Sequence, residues 1–236
     1  FALPLAIFAL VAWARGLALT EMLPFIFDPL VMMVIGIVMS EALRQLRAGE
    51  FLARQQLREQ ATTDQLTGLL NRRAMHQLLQ QEHARAQRYE TRYSLILGDL
   101  DRFKRVNDRY GHNVGDIVLQ ETARRLGSHM RAQDALCRWG GEEILMLLPE
   151  TGLEGAKQVA EKIRLSLSDE PILAGEHCVP QTISLGVTSC HGRDDIESAI
   201  KRADDALYQA KENGRNRTEA IASPCSEPVS PNIRPA

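Results

Sequence analysis

The chain has 236 residues, 44% of them hydrophobic, and a formal net charge of −2, a length that suits one or two domains. The near-zero charge excludes a nucleic-acid binder whose affinity depends on neutralising phosphates, because such proteins carry a basic excess. The four cysteines, Cys137, Cys178, Cys190 and Cys225, are far apart and form no CxxC pair. This spacing argues against a zinc site or a disulfide framework and favours reduced thiols.

Two long apolar runs occupy the first 40 residues. Residues 1–19 contain one charge, Arg15, and residues 22–40 contain only Asp28. Each run has about the 20 residues that a helix needs to cross a hydrocarbon core. We therefore expect residues 1–40 to form two transmembrane helices, as part of a larger membrane region that is truncated here. A cleaved signal peptide for the first run, or a soluble helical core built from both runs, is the alternative.

The charges that flank the apolar runs predict their orientation. Arg44, Arg47, Arg54 and Arg58 follow the second run, whereas the two residues between the runs include no Lys or Arg. Because basic flanks stay on the cytoplasmic side of a membrane, the rest of the chain is predicted to lie in the cytoplasm.

Residues 41–62 connect the apolar runs to the remainder of the chain. This segment is rich in Arg, Gln, Glu and Leu and has no Pro, a composition typical of a helix. Leu43 and Leu46 fit a heptad seam, but Glu50 and Ala53 occupy later seam positions. Both a parallel coiled coil and a single solvated helix are therefore open, and a coiled coil would bring two copies of the downstream domain together.

The remainder of the chain alternates helices and strands, with residues 63–217 forming one domain. The predicted elements are a helix capped by Asp64 that runs to about Tyr89, a strand Tyr93–Leu100, a helix Ile117–Met130, a hairpin of Ala135–Trp139 and Glu143–Leu148, a helix Gly155–Leu167, a strand Val179–Thr188 and a helix Asp194–Glu212. The order β-α-β-β-α-β is that of a ferredoxin-like unit, so the predicted fold class is α+β. Residues 218–236 contain four prolines among Ser and Asn, and we expect a disordered tail there.

Four carboxylates suggest a metal site in this domain. Asp99 and Asp101 lie at the end of the first long strand, and Glu142 and Glu143 follow two glycines at the hairpin tip. Ligands often bind at the carboxyl ends of strands, and the acids would converge if the two strands are neighbours. Grouped carboxylates suit Mg²⁺, which supports phosphoryl and nucleotidyl transfer. From these residues alone, a tight turn with solvated acids at its tip is the alternative.

Five motifs in the same region resemble those of the GGDEF diguanylate cyclase family. They are, in chain order, Asp64–Arg72 (DQLTGLLNR), Asp99–Asp108 (DLDRFKRVND), Gly111–Asp116 (GHNVGD), Arg138–Ile144 (RWGGEEI), and Ala203–Lys211 followed by Gly214–Asn216. The resemblance covers residues 63–217 and implies a ferredoxin-like βαββαβ palm. It also implies a homodimeric enzyme at the bacterial inner membrane that condenses two GTP molecules into cyclic di-GMP and two pyrophosphates.

The resemblance assigns the acids to a metal site. Asp99 and Glu142 would hold Mg²⁺, or Mn²⁺, with the Leu100 carbonyl as a further ligand. Glu143 would assist at the metal or help to activate the attacking hydroxyl.

The resemblance also implies a substrate site. Asn107 and Asp116 would hydrogen-bond the guanine edge, with His112 supporting the pocket. An adenine would leave these buried polar groups unpaired, so the site would select guanine. Backbone N–H groups and positive side chains would bind the phosphates. The phosphate-binding residues implied are Arg102, Phe103, Lys104, Lys211 and Arg215.

A second nucleotide site is implied by an RxxD motif. Arg131 and Asp134 form the motif, and five residues separate Asp134 from Gly140. An arginine can hold a phosphate with two hydrogen bonds and stack on guanine. The offset matches the family's inhibitory site for cyclic di-GMP, used either within one chain or across a dimer.

The sequence departs from the family pattern at one position and leaves some roles open. Ile144 replaces the usual Phe and is expected to point into the core. Asp101, Asp108 and Asp204 have the alternative roles of helix caps or surface charges. The alternative function is a non-catalytic module that binds GTP or cyclic di-GMP and signals to a partner.

Overall fold

A computed structural model describes residues 10–11, 13–15, 31–45, 47 and 62–224. The chain divides into two compact units, Phe1–Ala61 and Thr62–Ala236. Residues 31–45 of the first unit are helical. Among the described residues, no helix is both long enough and apolar enough to cross a membrane. Most of the two predicted membrane spans, and most of the predicted linker, lie outside the described residues.

The second unit contains five helices and eight strands within its described residues. They are β1 (Leu70–Asn71), α1 (Arg72–Tyr89), β2 (Arg92–Leu100), α2 (Phe103–Tyr110), α3 (His112–Gly127), β3 (Ala135–Arg138), β4 (Glu143–Pro149), α4 (Leu153–Ser168), β5 (Ile172–Ala174), β6 (His177–Val179), β7 (Ile183–His191), α5 (Ile196–Glu212) and β8 (Thr218–Ile221).

The main sheet has six strands in the order β1-β3-β4-β2-β7-β8. The central strand β2 pairs antiparallel with β4 on one side and with β7 on the other. β3 and β4 form the predicted hairpin, in which Arg138 lies opposite Ile144. The α+β class and the βαββαβ order are confirmed, and β1 and β8 extend the sheet in parallel at its two edges.

Helices cover both faces of this sheet. Ile96 of β2 belongs to the core shared with α2, α3 and α4, and Leu95 belongs to the core shared with α1 and α5. Helix α5 lies especially close to β7, since a Cβ atom on Gly186 would be 2.1 Å from the backbone oxygen of Ala203. Only glycine allows this approach, and it brings α5 onto the face of β2 that carries Asp99.

The start of the first predicted helix was wrong. Helix α1 begins at Arg72, and Asn71 is its N-cap, whose side chain accepts a hydrogen bond from the backbone N–H of Ala74 at 2.9 Å. Asp64 instead closes a turn before β1, where it accepts hydrogen bonds from the backbone N–H and the hydroxyl of Thr67. Asp is equally suited to caps and to such turns, so the pattern alone did not separate them.

Three other boundaries differ from prediction by more than two residues. Helix α3 runs from His112 to Gly127 and not from Ile117 to Met130. The strand predicted over Val179–Thr188 is divided into β6 and β7, because Pro180 between them lacks a ladder donor. The predicted disorder of residues 218–236 is wrong for Thr218–Ile221, which forms β8 against β7. Residues 225–236 lie outside the described residues. The edge of β7 supplies backbone partners for β8 that composition does not reveal.

Candidate active site

Asp99 lies near the end of the central strand, between Glu143 of β4 and Ser184 of β7 in the strand register. It is buried, with 8% of the residue exposed. Lys211, from the last turn of α5, places its Nζ 2.9 Å from Asp99 Oδ2. The two paired strands and the covering helix therefore fix this carboxylate from three directions, and the expected adjacency of β2 and the hairpin is confirmed.

Negative charge is concentrated at this end of the sheet. Burial raises the pKa of Asp99 above its usual value and Asp101 raises it further, while Lys211 and Arg215 oppose the shift. Burial also raises the pKa of Glu142, and the charge of Asp99 adds to that rise. Two carboxylates that repel each other in a partly dry site favour a cation between them.

The donor set fits a hard divalent cation. Among the described residues, no group of three or more His, Cys, Asp or Glu side chains could hold a metal ion. A metal at Asp99 and Glu142 would therefore need backbone, water or phosphate oxygens to complete its shell. Mg²⁺ binds in this way, through one or two carboxylates and the phosphates of its substrate.

The two acids of the hairpin tip have different surroundings. The backbone N–H of Leu100 donates to the Glu142 carbonyl at 3.3 Å, which ties the tip to β2. The side chain of Glu143 lines a cavity of about 330 Å³ together with Arg72, His76 and Trp139. The charge of Asp99 thus acts on Glu142, as does, more weakly, the charge of Glu143, while the Glu143 side chain lines a cavity next to the site.

Arg138 links the first motif to the hairpin tip. Its Nη1 donates to both carboxylate oxygens of Asp64, at 3.1 and 3.3 Å, and its Nε and Nη2 donate to the Gly141 carbonyl. Burial acts to raise the pKa of Asp64, but hydrogen bonds from Thr67 and Arg138 outweigh it and the pKa is lowered. Sequence reasoning missed this pair, although both residues lie in the quoted motifs.

Asp101 is neither a helix cap nor a surface charge. It is buried, and its side chain accepts hydrogen bonds from the hydroxyls of Thr182 and Ser184, at 2.7 and 2.6 Å. It also accepts one from the backbone N–H of Asn216 at 3.0 Å. Both alternative roles are therefore wrong for Asp101, which instead joins the end of β2 to β7 and to the loop after α5. Asp108 and Asp204 are exposed, in agreement with surface charges.

The predicted phosphate-binding residues lie at two helix ends. Arg102 is the N-cap of α2 and has a left-handed backbone with φ 57°, and Phe103 begins the helix with a buried ring. Lys104 is exposed in its first turn. At the end of α5, Arg215 donates to the Lys211 carbonyl. Arg102 and Arg215 line one cavity of about 400 Å³, so the structure brings the two helix ends together.

The predicted guanine-binding residues surround the turn between α2 and α3. Asn107 is half-buried, whereas His112 and Asp116 are exposed, so the expected burial is only partial for Asn107 and wrong for the other two residues. The backbone N–H of Gly111 donates to the Asn107 carbonyl at 2.9 Å. A Cβ atom on Gly115 would lie 1.9 Å from Asn107 Oδ1, so glycine is required there for this side chain to point toward α3.

The RxxD residues form a tight turn between α3 and β3. Asp134 Oδ2 accepts a hydrogen bond from the backbone N–H of Arg131 at 2.8 Å, and the Arg131 carbonyl accepts one from the backbone N–H of Asp134 at 3.0 Å. The Arg131 residue is exposed. The turn therefore presents the arginine to solvent while the aspartate holds the backbone.

Replacing Asp99 by Asn is expected to change stability with pH. Because burial raises the pKa of Asp99, its ionised form is disfavoured in the folded state, and the wild type loses stability as the pH rises through that pKa. The Asp99→Asn variant should therefore gain free energy of unfolding relative to wild type as the pH rises above the ordinary Asp pKa of 3.8. Urea unfolding followed by circular dichroism measures this difference.

The matched control is Asp205→Asn, which removes an exposed carboxylate from the same helix that carries Lys211. It should show no such pH-dependent gain. If Asp99→Asn instead lost stability relative to wild type toward neutral pH, the ionised Asp99 side chain would not be destabilising in the folded state.

Comparison with known proteins agrees with this geometry. Residues 61–217 match the family model described as diguanylate cyclase, GGDEF domain. The chain is 46% identical over 161 residues to the response regulator PleD of Caulobacter vibrioides, covering 67% of this chain and 36% of PleD. It is 44% identical over 167 residues to diguanylate cyclase DgcM of Escherichia coli, covering 70% of this chain and 40% of DgcM.

A solved structure shows the same fold. The coiled coil and GGDEF domain of DgcB from Caulobacter crescentus, in complex with c-di-GMP, matches with a TM-score of 0.66 at 30% identity, over 80% of this chain and 99% of that chain. The chain spans less than half the length of PleD and of DgcM. From the family match and the shared fold, the chain belongs to the GGDEF family of diguanylate cyclase domains.

Proposed function

We propose that this chain is a diguanylate cyclase that condenses two GTP molecules into cyclic di-GMP and releases two pyrophosphates. The observation that carries the proposal is the position of Asp99 and Glu142 at one strand end, where the backbone N–H of Leu100 donates to the Glu142 carbonyl and Lys211 contacts Asp99. The named activity of DgcM, which shares 44% identity over the same domain, supports it.

The metal we propose is Mg²⁺, with Mn²⁺ as a substitute. Asp99, Glu142 and the Leu100 carbonyl would hold it, and GTP phosphate oxygens would complete the shell. When bound, such a metal stabilises negative charge on the phosphate and makes an attacking hydroxyl more acidic. Its positive charge would also relieve the repulsion between the two acids.

The protein's side chains and helix ends would accept the proton and neutralise the charge that develops in the reaction. The 3′-hydroxyl of one GTP attacks the α-phosphorus of the other, and the bond to the pyrophosphate breaks. Glu143, next to the site, would accept the hydroxyl proton. Lys211 and Arg215 would neutralise the leaving pyrophosphate, together with the Lys104 side chain and the backbone N–H groups at Arg102 and Phe103.

The guanine base would lie at the turn between α2 and α3. Asn107 offers an amide and Asp116 a carboxylate, which match the donor and acceptor pattern of the guanine edge. His112, at the first position of α3, would support this pocket. Adenine presents the opposite pattern to these groups and would be rejected.

Turnover would need two chains. A domain with one such site holds one GTP, so the second GTP must come from a facing domain. Residues 41–62 would set the effective concentration of the two domains if they pair as a coiled coil. The DgcB structure, described as a coiled coil with a GGDEF domain, supports this arrangement.

The decisive experiment is a cyclase assay. Purified chain, GTP and Mg²⁺ should yield cyclic di-GMP, and Glu142→Ala should lower the rate by at least about a hundredfold, because the metal that would stabilise transition-state charge loses a ligand. Product is measured by chromatography. Asp205→Ala, which removes an exposed acid, is the control and should retain the wild-type rate. Absence of product from a chain shown to be dimeric would favour the non-catalytic GTP-binding module.

We further propose that Arg131 and Asp134 form an inhibitory site for cyclic di-GMP. Arg131 is exposed, and its backbone is held by Asp134. The guanidinium is therefore available to hold a phosphate and stack on a guanine of the product.

Arg131→Ala should abolish non-competitive inhibition by cyclic di-GMP and leave the initial rate within about twofold of wild type, because the residue lies in the turn before β3 and is not among the residues proposed to bind the metal or GTP. Initial rates at increasing cyclic di-GMP measure this effect. Gln133→Ala, in the same turn, is the control and should remain inhibited. Non-competitive inhibition that persists in Arg131→Ala would rule out this site.

We also propose that residues 1–40 anchor the chain in the bacterial inner membrane, with the GGDEF domain in the cytoplasm. The described helical residues 31–45 expose apolar side chains such as Met32, Ile37 and Val38. An apolar face of this kind is unfavourable in water and suits lipid. The arginines that follow the second run support the cytoplasmic side.

Fractionation of cells that express the full chain tests the anchor. The protein should stay in the membrane pellet after alkaline carbonate and be released by detergent. The double variant Ile35→Asp/Val38→Asp should lose most of this retention, since each Asp costs about 3 kcal/mol at the centre of a span. Recovery of the wild-type chain in the supernatant would contradict the anchor.

A further inference from the structure

Four arginines line the cavity of about 400 Å³ beside the candidate active site. Arg102, Arg105 and Arg109 come from α2 and its N-cap, and Arg215 comes from the loop after α5. Arg105 and Arg109 are four residues apart on α2, which places them on one face of the helix, and the N-cap residue Arg102 lines the same cavity. Pro180 and Thr182, between β6 and β7, also line the cavity.

Among the residues described for this cavity, positive charge exceeds negative charge, although the charge of Arg215 also acts on Asp99. Within the part of the chain that the structure describes, none of the four forms a salt bridge. Asp101 is the one carboxylate among the lining residues, and hydroxyls and a backbone N–H already occupy both of its oxygens. Four like charges around one cavity raise its positive potential, which favours a polyanion of matching size.

The arrangement extends beyond the predicted phosphate site. Arg102 and Arg215 belong both to this cavity and to the predicted phosphate site, whereas Arg105 and Arg109 line only the cavity. Arg109 lies about 10 Å further along α2 than Arg102, at about 1.5 Å per residue. The cavity is thus a positively charged continuation of the place where the end of a bound triphosphate is expected.

We propose that this cavity binds pyrophosphate, the second product, after its bond to the α-phosphorus has broken. The proposal rests on the proposed cyclase function and names where the leaving group goes. Each guanidinium can donate two parallel hydrogen bonds to phosphate oxygens, so a cluster of four suits a small, densely charged anion. A nucleic acid is disfavoured, because the cavity is small and the chain has a net charge of −2.

Pyrophosphate held in the cavity would share Arg102 and Arg215 with the phosphates of an incoming GTP. It should therefore compete with GTP and inhibit turnover, and this inhibition should weaken with salt, since exposed charges are screened.

Calorimetric titration of the full chain with inorganic pyrophosphate tests the proposal without any turnover. In the double variant Arg105→Gln/Arg109→Gln, the Kd for pyrophosphate should rise by at least about tenfold, as expected for the loss of charge-assisted hydrogen bonds. The Kd for a non-hydrolysable GTP analogue should change by less than about threefold. Both arginines are exposed, so thermal unfolding should match wild type.

The control double variant is Arg88→Gln/Arg193→Gln, which removes two exposed arginines near the opposite end of β2 and β7. It should bind pyrophosphate like wild type. Unchanged pyrophosphate binding in Arg105→Gln/Arg109→Gln would overturn the site. An equal loss for the GTP analogue would assign the cavity to the substrate tail and overturn the product assignment. Because the titration measures pyrophosphate binding without turnover, its result does not depend on the cyclase assay. The two proposals can therefore fail independently.

Discussion

The burial of the Asp99 charge at the end of the central strand is the constraint on which the site depends. A carboxylate is stable in such a place only if positive charge lies close to it. Lys211 supplies part of that charge at 2.9 Å, yet burial still dominates and the pKa stays raised. A second carboxylate, Glu142, adds to the excess. The site is therefore arranged for a cation that the protein side chains do not provide.

The fold holds this unfavourable charge by fixing its surroundings. β4 and β7 pair with both edges of β2, and Gly186 lets α5 lie directly on the sheet. The stability gained in the two cores on either face of the sheet supports the local cost, as is common where active sites hold strained charges. Lys211 reaches Asp99 only because the last turn of α5 lies above the end of β2.

Two charged residues outside the predicted roles hold the surrounding loops. Arg138 joins Asp64 to the Gly141 carbonyl, and Asp101 joins β7 to the loop that contains Asn216. Each is largely buried and has its polar atoms paired, which satisfies the requirement for buried charge. The same loop presents Arg215 to the basic cavity, so the Asp101 contacts also shape the proposed pyrophosphate site.

The pattern of residues along the chain was sufficient to predict those elements in which a single sequence signal dominates. The apolar run of β2, the Gly140-Gly141 hairpin and the periodicity of α4 and α5 were all recognised, because burial of a face imposes a period that the residues display. Ile144 was correctly expected in the core, where 3% of it is exposed. Prediction failed where one residue type suits two structures, as with Asp64, which forms a turn instead of a helix cap.

Prediction from sequence also failed where an element depends on a partner that is distant in the chain. β8 exists because the edge of β7 offers backbone hydrogen bonds, and α2 is a short helix whose Phe103 and Val106 pack into the core shared with α3. Neither has a strong local pattern of its own. Propensity is a weak guide for such elements, since tertiary contacts decide them.

By itself, the sequence determined the fold class, the order of the strands along the chain and the family to which the five motifs belong. These follow from residue spacing, which is a local property. Only the tertiary structure decided that Asp101 is buried, that Arg138 binds Asp64, that Glu142 and Glu143 face different surroundings and that four arginines share one cavity. Each of these depends on residues far apart in the chain, and charges interact through space, so their pairing was fixed only when the sheet and helices were assembled.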